Sequence, residues 1–157
     1  MATDVLLGRI LDADPGSPDA GVQALLALHS ELVLDPQREP LSIADASRLL
    51  GLSTHTLRYY EDQGLVHPSR NDSGYREYSA EDLRRLVFVT RMRVSGMSMR
   101  DLTRYVALVD QGDQTISERR SMMFEQRERV LRQLRELTLA LETTEYKIRE
   151  YDDHPEG

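Results

Sequence analysis

Thr54, His55, Arg58 and Tyr59 place four hydrogen-bonding or aromatic groups within six positions of one another. At 3.6 residues per turn they share one side of a helix, opposite Leu57, so burying the leucine would leave a polar face free. Arginine and histidine donate well to the acceptors on a guanine edge, and threonine meets a thymine methyl or a phosphate oxygen. A second group, Arg70, Tyr75, Arg76 and Tyr78, carries guanidinium and phenol groups suited to phosphate, with Gly74 among them to supply backbone freedom. Short two-helix units with exposed arginine also occur as packing elements, and tyrosines such as Tyr59, Tyr60, Tyr75 and Tyr78 are singly more often half-buried than exposed. Residue types alone therefore leave both readings open.

Other chemistries are poorly provided for. With no cysteine in the chain there is no disulfide framework, thiolate metal site or cysteine nucleophile. The histidines His29, His55, His67 and His154 are scattered without ligand spacing, so no metal and no cofactor are expected. The acidic pairs Glu61-Asp62 and Asp152-Asp153 have neither a nucleophile nor a Gly-rich phosphate loop nearby, which argues against an enzyme. Five methionines (Met92, Met97, Met99, Met122 and Met123) are expected to fill core space, with an adaptable pocket for lipophilic compounds as the other use of such side chains.

The elements that would present these groups are marked by their starts. Ser42-Ile43-Ala44-Asp45, Ser79-Ala80-Glu81-Asp82 and Ser98-Met99-Arg100-Asp101 each place a serine three residues before an acid. In that pattern the serine oxygen accepts from a first-turn amide and the acid favours the positive end of the helix dipole. Ser53 begins a further helix after Gly51-Leu52. Residues 42–50 and 54–61 therefore form a helix-turn-helix, with its second helix free to enter a groove. Across residues 65–78 the helical periodicity is lost, and two short arms flank Asn71-Asp72-Ser73-Gly74, able to adopt positive φ; this predicts a hairpin wing.

No proline or glycine interrupts residues 116–151, where Met123, Arg127, Val130, Leu134, Leu137, Leu141, Thr144, Ile148 and Tyr151 alternate steps of four and three. Such a heptad seam would stay wet without a partner, and antiparallel pairing of two copies is the economical answer. At the other end, Thr3 and Ser17-Pro18 mark the starts of two short helices, the second with a stripe of Val22, Leu25, Leu26, His29, Leu32 and Val33. This amphipathic hairpin over residues 1–35 is expected to pack on the rest of the protein; a flexible acidic leader is the alternative.

The formal charge of −7 conceals a pattern. Residues 41–105 hold ten basic and eight acidic side chains, whereas 1–40 hold two and seven, and 106–157 eight and twelve. The net basic part is thus the segment with the candidate groove face. Its positive charge is all arginine, whose planar fork suits phosphate and guanine, although genome composition accounts for that bias equally well. No apolar run reaches the roughly 20 residues that span a bilayer, so a soluble, cytoplasmic protein without membrane contact is expected.

Residues 41–78 resemble the N-terminal signature of MerR-type transcriptional regulators: Leu-Ser-Ile-Ala, then Gly-Leu-Ser-Thr-His-Thr-Leu-Arg-Tyr-Tyr-Glu-Asp-Gln-Gly-Leu-Val, then Ser-Gly-Tyr-Arg-Glu-Tyr-Ser. The likeness continues through residues 81–86 and 91–99. It implies a mainly α protein with a winged helix-turn-helix, a small β-hairpin wing and a long antiparallel coiled-coil dimerisation helix. Implied DNA contacts are Thr54, His55, Arg58 and Tyr59 on the recognition helix and Tyr75, Arg76 and Tyr78 on the wing, with Arg93 beside Gly96 supporting a second wing; Arg70 and Gly74 join the expected DNA-binding set from the residues themselves, and Tyr60 is expected to pack. Met123, Val130, Leu134, Leu137, Leu141 and Ile148 would join a homodimer on a pseudo-palindromic site in double-stranded promoter DNA, its spacer distorted for RNA polymerase. The organisation expected is an extension (1–40), the DNA-binding domain (41–111), the dimerisation helix (112–151) and a tail (152–157). Family members that sense metals carry cysteines near the dimer helix, which are lacking here, and no separate ligand-binding domain is expected after Tyr151, so the effector is unspecified. An architectural or recombination accessory factor and a coiled-coil interaction module remain as alternatives.

Overall fold

A computed structural model of the protein describes residues 37–154; the two helices expected before residue 36 lie outside the described residues. The described chain runs β1 (Leu41–Ser42), α1 (Ile43–Leu50), α2 (Thr54–Asp62), β2 (Ser69–Arg70), β3 (Arg76–Tyr78), α3 (Ala80–Val94), α4 (Met99–Gln111), a 3-10 turn (Asp113–Thr115) and α5 (Ile116–Asp152). It divides after Val106 into two units.

In the first unit, serines start the helices. Ser42 Oγ accepts from Asp45 N at 3.2 Å and Ser98 Oγ from Asp101 N at 3.1 Å. Ser79 and Asp82 close a reciprocal box, with Asp82 N on Ser79 Oγ at 3.1 Å and Ser79 N on Asp82 Oδ2 at 2.9 Å. The turn between α1 and α2 works because Gly51 takes φ 65°, a left-handed value that costs a glycine little, and Leu52 N then returns to Ser47 O at 3.2 Å. One face of each helix then goes inside: Ala46 and Leu50 from α1, Leu57 and Tyr60 from α2, Leu83, Leu86, Val87 and Val89 from α3, all buried with Leu65, Val66, Met97 and Leu102. Phe88 stacks on Tyr105, ring centroids 5.0 Å apart, which ties α3 to α4.

The wing is larger than the two-stranded hairpin expected. β3 pairs antiparallel with β2 (Ser69↔Glu77, Arg70↔Arg76) and, on its other edge, with β1 (Leu41↔Tyr78, Ser42↔Glu77). Leu41 and Ser42 thus serve twice, as a strand and as the lead into α1, and the wing is stitched to the helix-turn-helix through backbone hydrogen bonds. Of the turn residues expected to reach positive φ, only Gly74 does, at 83°.

The second unit holds the end of α4, the 3-10 turn and α5. Its corner is locked by Thr115, whose buried hydroxyl shares its one proton between Leu108 O (2.6 Å) and Gly112 O (2.7 Å) while accepting from Arg119 Nε at 3.1 Å. Gly112, at φ 100°, makes the corner. α5 has 37 residues, about 55 Å at a rise of 1.5 Å per residue. Met122 and Gln126 are buried and Met123 is half-buried, but Leu134, Leu137, Leu141 and Ile148 are 55–69% exposed. Among the described residues no helix is long and apolar enough to cross a membrane.

Candidate nucleic-acid interface

The surface starts from the cap of α2. Ser53 Oγ accepts from Thr56 N at 3.0 Å, which fixes the first turn at Thr54. From that start the helical repeat sends Leu57 and Tyr60 inward and leaves His55, Arg58 and Tyr59 exposed, with Thr54 half-buried. Arg58 makes no hydrogen bond or ion pair among the described residues, so its guanidinium is free to take a ligand. The Tyr59 ring leans on Tyr60, centroids 6.0 Å apart and tilted by 41°.

The wing tip is organised by one side chain. Asn71 Oδ1 accepts from Ser73 N and Tyr75 N, each at 3.0 Å, while Asn71 O accepts from Gly74 N at 2.8 Å. Arg70 crosses the turn to donate from Nη1 to Gly74 O at 2.9 Å, and its side chain is otherwise exposed. Tyr75 stands out at 72% exposure.

These pieces meet. A cleft is lined by Arg58 of α2, by Arg70, Gly74, Tyr75 and Arg76 of the wing, and by Ser42, Ile43 and Ala44 where α1 begins. Five of the residues singled out from sequence therefore share one concavity, with three guanidinium groups around it. His55 and Tyr59 are exposed on α2 but do not line it. The contribution of the α1 start is the part that sequence reasoning missed. Its signal was the Ser42–Asp45 cap, which locates the first turn but does not say that the hairpin folds beside it.

One expectation is corrected. Tyr78, expected at phosphate, has no exposed surface: it pairs with Leu41 in the sheet and belongs to the core, and its hydroxyl lacks a hydrogen-bond partner among the described residues. Burial raises its phenol pKa above the ordinary value, as it does for Tyr60. Arg76 lines the cleft, yet its Nε is bonded to the carboxylate of Glu61 at the end of α2, both side chains being 22% exposed. Arg93, exposed on α3, donates from Nη1 to Met97 O at 2.7 Å across the α3–α4 turn where Gly96 takes φ 84°. No cluster of side chains able to hold a metal ion occurs among the described residues.

Residues 41–108 match the family model described as MerR HTH family regulatory protein. The chain is 35% identical over 108 residues to the HTH-type transcriptional regulator HmrR of Rhizobium leguminosarum bv. viciae, a match covering 69% of this chain and 84% of that protein. The chain belongs to the MerR family. This MerR-family protein is also 38% identical over 92 residues to the HTH-type transcriptional regulator AdhR of Bacillus subtilis, spanning 58% of its own length and 66% of AdhR. Among solved structures it is similar to a MerR family transcriptional regulator from Listeria monocytogenes, with TM-score 0.69 and 38% identity over 73% of this chain and 87% of that one. It is likewise similar to HiNmlR, described as a MerR family regulator lacking the sensor domain and bound to promoter DNA, with TM-score 0.66 and 33% identity over 73% and 91% of the two chains.

Proposed function

We propose that this MerR-family transcriptional regulator binds a pseudo-palindromic promoter site as a homodimer, with α2 in the major groove and the wing on the flanking phosphates. The single observation that carries the reading is the cleft, where Arg58, without a hydrogen bond or ion pair among the described residues, and the exposed wing side chains of Arg70 and Tyr75 come together beside the exposed face of α2. That a relative of this fold, HiNmlR, is described as bound to promoter DNA supports the same reading. Thr54, His55, Arg58 and Tyr59 are the base-reading candidates, and Arg70, Gly74 and Tyr75 the phosphate-side ones.

Dimerisation is argued from α5. Val130, Leu134, Leu137, Leu141 and Ile148 form a stripe exposed along about half of a helix of about 55 Å. Each such side chain gains about 1.5–3 kcal/mol when fully buried, so a second copy of the same stripe is the partner that removes the cost for both. Under this reading residues 41–111 are the DNA-binding domain and 112–151 the dimerising helix, in a cytoplasmic protein. The twofold axis sets the spacing of the half-sites, and distortion of the spacer between them presents the promoter to RNA polymerase.

Footprinting and fluorescence anisotropy on duplexes from the neighbourhood of its own gene test this, together with light scattering for the oligomer. A symmetric protected site, a dimer mass and affinity falling with salt by about 0.9 log units per log unit for each neutralised phosphate are expected. A monomer, or a protein indifferent to palindromic duplexes at low salt, would defeat the reading.

A further inference from the structure

The three arginines of the cleft are held in different ways. Arg58 has no partner among the described residues, and Arg70 engages one nitrogen with a carbonyl of its own turn. Arg76 reaches from β3 to Glu61 in the last turn of α2, and both side chains are mostly withdrawn from water. A guanidinium paired with a carboxylate presents a small dipole to its surroundings instead of a full charge, so its pull on a phosphate is weak. What the pair does supply is geometry: β3 is the central strand of the sheet, and tying it to α2 sets the wing against that helix.

We infer that Arg76 is a positioning residue, which with Glu61 forms a strut fixing the angle of the wing to the recognition helix, while Arg58 and Arg70 are the guanidinium groups that reach DNA from this cleft. Arg76 also neutralises Glu61, whose carboxylate would otherwise repel the phosphates drawn to the cleft. The inference rests on the DNA-binding reading for its second half only; the strut itself is a property of the free protein.

The full chain tests both halves. Because it contains no native cysteine, paired spin labels on Gln63→Cys and Ser73→Cys, in protein diluted with unlabelled chain, report the separation of α2 and the wing tip directly. A narrow distance distribution is expected in the parent, a broad one in Glu61→Gln or Arg76→Gln, and a narrow one again in the charge swap Glu61→Arg with Arg76→Glu. In anisotropy, each Gln variant should weaken binding by about tenfold, the scale of coupling within one ion pair. The double Gln variant should be no worse than either single, and the swap should restore binding. Arg76→Gln should leave the salt slope unchanged, while Arg70→Gln, on the phosphate side, lowers it by about 0.9. A swap binding more weakly than Arg76→Gln, or single variants with unaltered label distances, overturns the strut. Should the swap not fold, as judged by circular dichroism, the strictly additive losses of the two Gln variants would do the same. A parent protein that binds no duplex instead refutes the DNA reading, and the label distances still decide the strut.

Discussion

Arg58 and Tyr78 differ in what surrounds the polar end of each side chain. Arg58 is exposed on α2, and among the described residues no hydrogen bond or ion pair competes with a base or phosphate for its fork. Arg58→Ala is expected to cost about 1–3 kcal/mol on the cognate duplex and less on a scrambled one, measured by anisotropy; equal loss on both would move it to the phosphate class. Tyr78 is the opposite case, a phenol with no exposed surface and no partner for its hydroxyl among the described residues. A buried unsatisfied hydroxyl costs about 1–3 kcal/mol, so Tyr78→Phe is expected to leave the melting temperature unchanged or raise it. The same burial has a pH consequence. Tyr78 and Tyr60 have phenol pKa values raised above 10.0, chiefly by desolvation. The unfolded chain therefore loses these protons first, and stability present below the unfolded value of about 10 declines as pH rises through the raised folded values. Denaturant melts between neutral pH and pH 11 should show that alkaline decline, and a smaller one in Tyr78→Phe.

At the scale of elements, the helix starts were legible because a cap is a local device: a serine oxygen satisfies an amide two or three residues along the chain, and nothing distant is needed. Ser42, Ser53, Ser79 and Ser98 all accept from the amide three residues on. Ser53→Ala is therefore expected to destabilise the first unit by about 1 kcal/mol, read as a lower denaturant midpoint with the slope unchanged, because the orphan amide of Thr56 is left to water. The strand β1 was not legible. Two residues, Leu41 and Ser42, carry no alternation to detect, and they become a strand only because the edge of β3 lies beside them. The Glu61–Arg76 pair escaped for the same kind of reason. Arg76 suits a phosphate by type, and only its closeness to Glu61 across α2 and β3 reveals that the two satisfy each other.

For the whole molecule, the proposed pairing of the α5 stripe is what would turn one reading unit into two at a fixed separation. Replacing Leu134 and Leu137 together with glutamate puts charge into the proposed seam. Light scattering should then report a monomer, and affinity for the palindromic duplex should fall toward that for a single half-site. A double variant that stays dimeric would place the interface elsewhere on α5. The exposure of these leucines in one chain is the structural counterpart of the heptad seam seen in the sequence.

Sequence alone determined the helices, their caps, the heptad stripe and the family signature in residues 41–78, because each depends on periodicity or on neighbours a few positions apart. Tertiary structure alone decided that β1 joins the sheet, that the start of α1 shares a cleft with the wing, and that Tyr78 is inside while Arg76 faces Glu61. Those outcomes depend on which surfaces meet when the elements pack, and residue type does not say whether a tyrosine or an arginine ends up against protein or against solvent.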